Sequence, residues 1–302
     1  MIGTKAEENP RYRIKRPLSE RILHVFNLVF LVVIAFTMVY PFWEIFVKSF
    51  MTDQEINSQY FCVWPKTFRW EAYRRIFTDP VYDFGGAFFN SVIVTAATTV
   101  YQLAITAMTA YALTRKTLPG KKIFFFFFII TMYFSGGMIP YYIVVTGLGL
   151  SDTLAVMIIP SFMSVFNMLV MRAFFQELPS SLEEAATIDG ASYFRVFWSI
   201  VLPLSKAVLA TIALFIAVGK WNDWYTAMLF IQRPDIRPLA YALQKIMEKA
   251  GGNSTGTGVN IEIIGESVRS AAIVVAVFPI MIIYPFFQKH FVKGVLIGSI
   301  KG

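Results

Sequence analysis

The chain carries few residues suited to covalent chemistry. Cys62 is its single cysteine, and its two histidines, His24 and His290, stand near opposite ends. A lone cysteine makes no internal disulfide, and no zinc-type ligand set can be picked out. Two Gly-Lys pairs, Gly120-Lys121 and Gly219-Lys220, have the ending of a phosphate-binding loop. Arg115 and Leu214 stand where that loop needs its first glycine, and neither lysine is followed by Ser or Thr. The chemistry left is recognition. Gln102 lies in an apolar run beside Thr95, Thr98, Thr99, Tyr101, Thr106 and Thr109, and Ser161, Ser164 and Asn167 recur along another. The last three share roughly one helical face. A third set is Lys220-Trp221-Asn222-Asp223-Trp224-Tyr225. Hydroxyls, amides and aromatic faces suit a neutral polar solute. Plainer readings stand beside this one. The hydroxyls could join helices to one another, and Trp221, Asn222 and Asp223 could belong to an interfacial aromatic belt rather than to the wall of an outer vestibule.

A polar stretch at residues 179–203 interrupts the apolar pattern. Ser181 followed by Glu184 has the spacing of a capping box, which predicts a helix starting there. Glu183 and Glu184 then fall in its first turn, where the helix dipole favours negative charge. Ala185 and Ala186 are strong helix formers with small side chains. Asp189-Gly190 marks a stop and a sharp turn, and an amphipathic run at 193–200 leads to Leu202-Pro203. The expected unit is helix, turn, helix. An ordinary capped hairpin would look the same from the capping residues alone.

These residues need elements to hold them, and composition says what kind. The 302 residues are 56% hydrophobic and 17% aromatic with only 15% charged, including 30 Phe. That is the integral membrane class. Six spans are expected, at 23–43, 88–113, 123–145, 154–171, from near 202 to at least 219, and at 271–287. Gly136, Gly137 and Pro140 point to a break or a close helix contact toward the far end of the third, and Pro160 interrupts the fourth. Apart from Lys206 at the edge of the fifth, these spans contain no Asp, Glu, Lys or Arg. Intramembrane charge marks proton relays and ion-coupled carriers, so this chain does not read as one, nor as an intramembrane hydrolase. Segments 1–22, 114–122, 172–206 and 289–302 hold 16 Lys and Arg against 7 acids, whereas the alternate segments hold 11 against 12. The first set is therefore expected on the cytoplasmic side, with both termini. The net charge of +8 is read as topological, with lipid rather than nucleic acid as the partner. The expected fold is an all-α integral membrane protein of six transmembrane helices. Residues 1–22 form a basic cytoplasmic N-terminus and 23–302 one transmembrane domain, with the helix-turn-helix loop between spans four and five.

The loop carries a resemblance. Glu184-Ala185-Ala186, preceded by Glu183, then Asp189-Gly190-Ala191, Ile200, Leu202 and Pro203 resemble the cytoplasmic loop signature of the membrane subunits of bacterial ABC importers. In that family the loop is a coupling helix that docks into a partner ATPase. Trp221-Asn222-Asp223-Trp224, Asn90-Ser91 and the ending from Lys293-Gly294 to Lys301-Gly302 are similar to the carbohydrate-uptake branch. Gly136-Gly137-Met138-Ile139-Pro140-Tyr141-Tyr142 resembles the subgroup handling oligosaccharides from complex plant polysaccharides. Ala207 departs from the pattern, since many relatives have Pro there. The resemblance implies a multi-pass permease of a bacterial cell membrane that forms half of a translocation pore. It implies a second homologous permease, two ATPase subunits that bind ATP and magnesium, and an extracellular solute-binding protein. This chain itself would bind no cofactor and catalyse nothing. A permease for an amino acid or peptide, and a non-catalytic membrane scaffold, are the alternatives.

Overall fold

The computed structural model describes residues 18–59, 61–78, 83–250 and 265–299, and among these every regular element is helical. Residues 1–17 of the basic N-terminus, the Gly/Ser/Thr-rich tip at 251–258 and the final Lys301-Gly302 lie outside the described residues. The elements are α1 (Leu18–Lys48), α2 (Asp53–Asn57), α3 (Glu71–Thr78), α4 (Phe84–Ala112), α5 (Lys121–Tyr133), α6 (Met138–Gly147), α7 (Ala155–Ile158) and α8 (Val165–Glu177). They continue with α9 (Ser180–Ile188), α10 (Tyr193–Val196), a π turn (Phe197–Val201), α11 (Leu202–Leu204), α12 (Lys206–Trp221), α13 (Tyr225–Phe230), a 3-10 turn (Pro234–Ile236), α14 (Leu239–Ala250) and α15 (Glu266–Ser299).

The helix α4 is the axis of the body. Ala107 and Ala110 are almost wholly buried on it, and their small side chains let α8 and α12 approach closely. Tyr111 and Leu113, Met168, Met171 and Phe175, and Val208, Ile212 and Ile216 complete this core, with Val196, Phe197 and Val201 closing its loop end. A second core joins the other end of α4 to α3, α12, α14 and α15 through Phe84, Ile76, Trp221, Leu239 and Ala272. By contrast, α1 is apolar on every side, and its most hydrophobic stretch has no buried residue. Its burial begins at Val47, where Lys48 bridges Glu44 at 2.8 Å and Glu266 of α15 at 3.0 Å.

The expected six spans are not six straight helices. Among the described residues three helices can each cross a membrane alone, Ile22–Lys48, Phe84–Ala112 and Glu266–Phe286, and two bent pairs raise the number to five. The expected span at 123–145 is α5 and α6, set at 114° to each other. Gly137 takes φ of +86° at the break, and Pro140 sits in the first turn of α6, where a missing N–H is tolerated. The expected span at 154–171 is corrected more strongly. It consists of the four-residue α7, a non-helical stretch at 159–164, and α8 running on to Glu177. Pro160 has no N–H to continue a helix, and Ser164 restarts it by accepting the N–H of Asn167 at 3.4 Å. The fifth begins at Lys206, after an 83° bend from Tyr193–Leu204.

The tight α4 contact can be tested on the purified chain in detergent. Ala110→Leu should overpack it at a cost of about 1–3 kcal/mol and lower the thermal midpoint. Ala104→Leu, on the exposed side of the same helix, should leave the midpoint unchanged. Equal midpoints for the two variants would contradict this packing.

Candidate functional site

The loop between α8 and α12 turns on Gly190. The N–H of Gly190 donates to the Thr187 carbonyl at 3.0 Å, and that of Ala191 to the Ala186 carbonyl at 2.9 Å. These two bonds are a Schellman closure, which puts the residue after the helix cap in the left-handed region. Gly190 has φ of +80°. A Cβ there would meet open space, so the backbone angle alone demands glycine. Ala186 and Ala191 both pack against the core of α4, α8 and α12, as do Ile200 and Leu202 further on. Ser192 caps α10 through the N–H of Arg195 at 3.4 Å. Pro203 is exposed, and the turn before it widens so that the Leu202 N–H reaches back five residues to the Phe197 carbonyl. Asp189 is the exposed cap residue of α9.

The capping box at Ser181 does not form. The helix α9 starts at Ser180, directly after Pro179, without a side-chain cap. Ser181 therefore lies inside the first turn, and Glu184 falls just beyond that turn. The two glutamates then part. Glu183 turns inward, and both of its oxygens accept hydrogen bonds from the Arg115 guanidinium, one of them at 2.9 Å from Nη2. Glu184 and Ala185 stay exposed, next to Ile188, which is 86% exposed. Leu182, Phe194 and Trp198 are also exposed. Around the Arg115–Glu183 pair lies an open cavity of about 800 Å³ between α9 and the turn at 114–117.

The polar residues of the spans are dispersed along the body. Gln102 is half-buried on α4. Around it Thr95, Thr98, Thr99 and Thr106 have buried hydroxyls without a hydrogen-bond partner among the described residues. Their spacing places them on one stripe of α4. Asn167 is buried at the start of α8, where Ser164 serves as the cap. Trp221 is buried, with its indole N–H donating to the Ala276 carbonyl of α15 at 3.0 Å and Phe88 edge-on at 5.8 Å. It is packed between helices and does not line an open wall. Asn222 is exposed and donates to the Val218 carbonyl at 2.8 Å. Asp223 accepts the N–H of Thr226 at 3.1 Å and pairs with Lys220 at 2.8 Å. Lys220 is buried and also donates to Ser161 at 3.0 Å, which ties α12 to the non-helical stretch at 159–164. The Lys220-to-Asp223 spacing suits a helix-end ion pair, whereas the bond to Ser161, 59 residues away, has no signal in the sequence. Asn90-Ser91 is a clamp. Asn90 donates to the carbonyls of Asp235 and Arg237 at 2.9 and 3.2 Å, and Ser91 accepts the Leu239 N–H at 2.7 Å. Among the described residues no group of His, Cys, Asp and Glu could hold a metal.

The Schellman closure yields a prediction that needs no partner. Gly190→Ala forces a Cβ into the left-handed region at a cost of about 1–2 kcal/mol. Limited proteolysis should cut this variant faster between residues 188 and 193. Gly190→Asn, which enters that region more readily, should stay closer to the parent. Indistinguishable cleavage of parent and Gly190→Ala would argue against the closure.

Comparison with known proteins bears on the whole chain. A family model described as the binding-protein-dependent transport system inner membrane component matches residues 118–297. Protein LplC of Bacillus subtilis (strain 168) is 41% identical over 287 residues, covering 93% of this chain and 96% of that protein. The polygalacturonan/rhamnogalacturonan transport system permease protein YtcP of the same strain is 39% identical, over 94% of this chain and 100% of that one. A chain from the crystal structure of a bacterial ABC transporter involved in the import of the acidic polysaccharide alginate superposes with a TM-score of 0.82 at 30% identity. That superposition covers 91% of this chain and 99% of the other. The all-helical body, the closed turn at Gly190 and these matches lead to one conclusion: the chain belongs to the binding-protein-dependent transport system inner membrane component family and is a permease subunit of an ABC importer, a transport subunit rather than an enzyme.

Proposed function

We propose that this permease takes up oligosaccharides derived from complex polysaccharides. The observation that carries the reading is the match, at 39% identity and full coverage, to a permease named for polygalacturonan and rhamnogalacturonan transport. The structure of an alginate importer supports it. Gln102, half-buried on α4 beside hydroxyls that have no partner among the described residues, is the amide that such a solute could reach in this half of the pore once the buried stripe opens. Ser164, Asn167 and Asn222 are further candidates along the path. Trp221 and Asp223 act on it indirectly, by holding the end of α12. Uptake of labelled oligosaccharides against labelled amino acids and peptides separates this reading from a non-sugar permease.

In the proposed arrangement the chain crosses a bacterial plasma membrane six times, with the broken pairs α5–α6 and α7–α8 serving as the third and fourth passes. Both termini and α9 face the cytoplasm in this arrangement, which the Lys and Arg distribution supports. A second homologous permease supplies the other half of the pore, and an extracellular solute-binding protein delivers the sugar. Two ATPase subunits bind ATP and magnesium below, and α9 docks on one of them. The exposed face of α9 supports that docking, because Leu182 and Ile188 stand out from the body beside Glu184. Apolar side chains left bare on a short surface helix are suited to a partner groove.

The docking face is testable in cells. Ile188→Asp and Glu184→Lys should leave the protein in the membrane. They should lower ATPase co-purification about tenfold or more, equivalent to about 1.4 kcal/mol of binding, and lower uptake with it. Normal uptake and co-purification in both variants would sink the proposed role of α9.

A further inference from the structure

We propose that Arg115 is a positioning residue that ties α9 to α4, so that movement of the coupling helix reaches the central helix of the body directly. The proposal rests on the coupling role given to α9 above and adds a second line of transmission to it. The covalent line runs from α9 through the left-handed turn at Gly190, α10, the π turn and the 83° bend before α12. The turn at Gly190, the π turn and the bend each interrupt helical geometry, so α9 can shift with part of its motion absorbed before α12 responds.

The second line is short. Arg115 lies just past the end of α4, and its guanidinium is held on several sides. Nε and Nη2 donate to Thr114 Oγ1 at 3.0 and 2.8 Å, and the Thr114 hydroxyl donates to the Tyr111 carbonyl at 2.6 Å. The plane lies over the Tyr111 ring, 4.3 Å from its centre. Tyr111 is buried and packs against Phe175 of α8 and Phe197 of the π turn. Nη1 and Nη2 remain for the two oxygens of Glu183. Burial is the largest single influence on Arg115 and opposes its charged form, but its hydrogen bonds to Glu183 and the charge interactions with Tyr111, Glu183 and Tyr193 together raise its pKa above the usual value. The two side chains are only 19% and 20% exposed. A two-pronged charged pair fixes orientation as well as distance, which a single lysine contact does not. Thr117 and Tyr193 add a lighter tie across the same cavity, with hydroxyl oxygens 3.2 Å apart. Glu183 is therefore turned into the permease, whereas the neighbouring Glu184 is free for a partner.

The test uses the complete importer in nanodiscs, with a fluorescent label on Met108→Cys in a Cys62→Ser background. Met108 is on the exposed side of α4, one turn before its end. Trapping the ATPases with ADP and vanadate should shift the label in the parent. Arg115→Glu and Glu183→Arg should each retain the ATPases but show less than about half of that shift. The double charge swap should recover most of it, as coupled neighbours do. A full shift in both single variants would overturn the proposal, as would a double swap no better than the singles. Loss of the ATPases from the single variants would also overturn it, since these residues would then belong to the docking face. A parent complex that fails to retain ATPases would count against the coupling role of α9 itself, which keeps the two failures distinct.

Discussion

Hydrocarbon offers nothing to a free N–H or C=O, so each interruption of a helix in a membrane protein must be closed from within or open onto a polar space. This chain has three such interruptions in its expected spans, and each is handled differently. The break between α5 and α6 lines a cavity of about 530 Å³ with Ser135, Tyr141 and Tyr225 on its walls. The stretch at 159–164 is held by Ser164 at one end and by the Lys220–Ser161 bond within it. At Ser205 the N–H is shared between the carbonyls of Val201 and Leu202, so the bend keeps its donor satisfied. Lys220 shows how a charge is kept at such a place. It is buried only because Asp223 and Ser161 take up its donors.

The same economy shapes the loop that resembles a coupling element. Its small residues are structural on one side and open on the other. Ala186 and Ala191 meet the body where the Schellman closure joins them, while Ala185 and Glu184 face outward. The helix α9 thus buries no residue and meets the core through the half-buried Ala186, whereas Val196, Phe197 and Val201 beyond Gly190 are set into the core on the way to α12.

Much of this was legible in the sequence because it depends on backbone rules. Gly190 marks a left-handed turn whatever surrounds it, and Pro160, Gly136 and Gly137 disrupt helices for local reasons. Asn90-Ser91 could be picked out, but its work as a clamp on the segment 235–239 could not, because it acts across the chain. The capping box failed for a local reason of another kind. Pro179 lies directly before Ser180, and the helix starts there with no side-chain cap, leaving Ser181 out of the cap position. The interruption at Pro160 was legible in the fourth span, but not that residues 159–164 leave the helix altogether and divide the run into the four-residue α7 and the longer α8. The Arg115–Glu183 pair has no sequence signal at all, because its members lie 68 residues apart.

The helix α1 stands apart from all of this. Its apolar stretch buries nothing against the described chain and only its end, at Val47 and Lys48, is tied to α15, whereas α8 and α12 bury their faces against α4. During synthesis, α1 can settle in lipid as soon as it emerges, while the interrupted segments must wait for neighbours that have yet to be made. The order of elements along the chain therefore doubles as an order of assembly, with a self-sufficient anchor first and the mutually dependent helices after it.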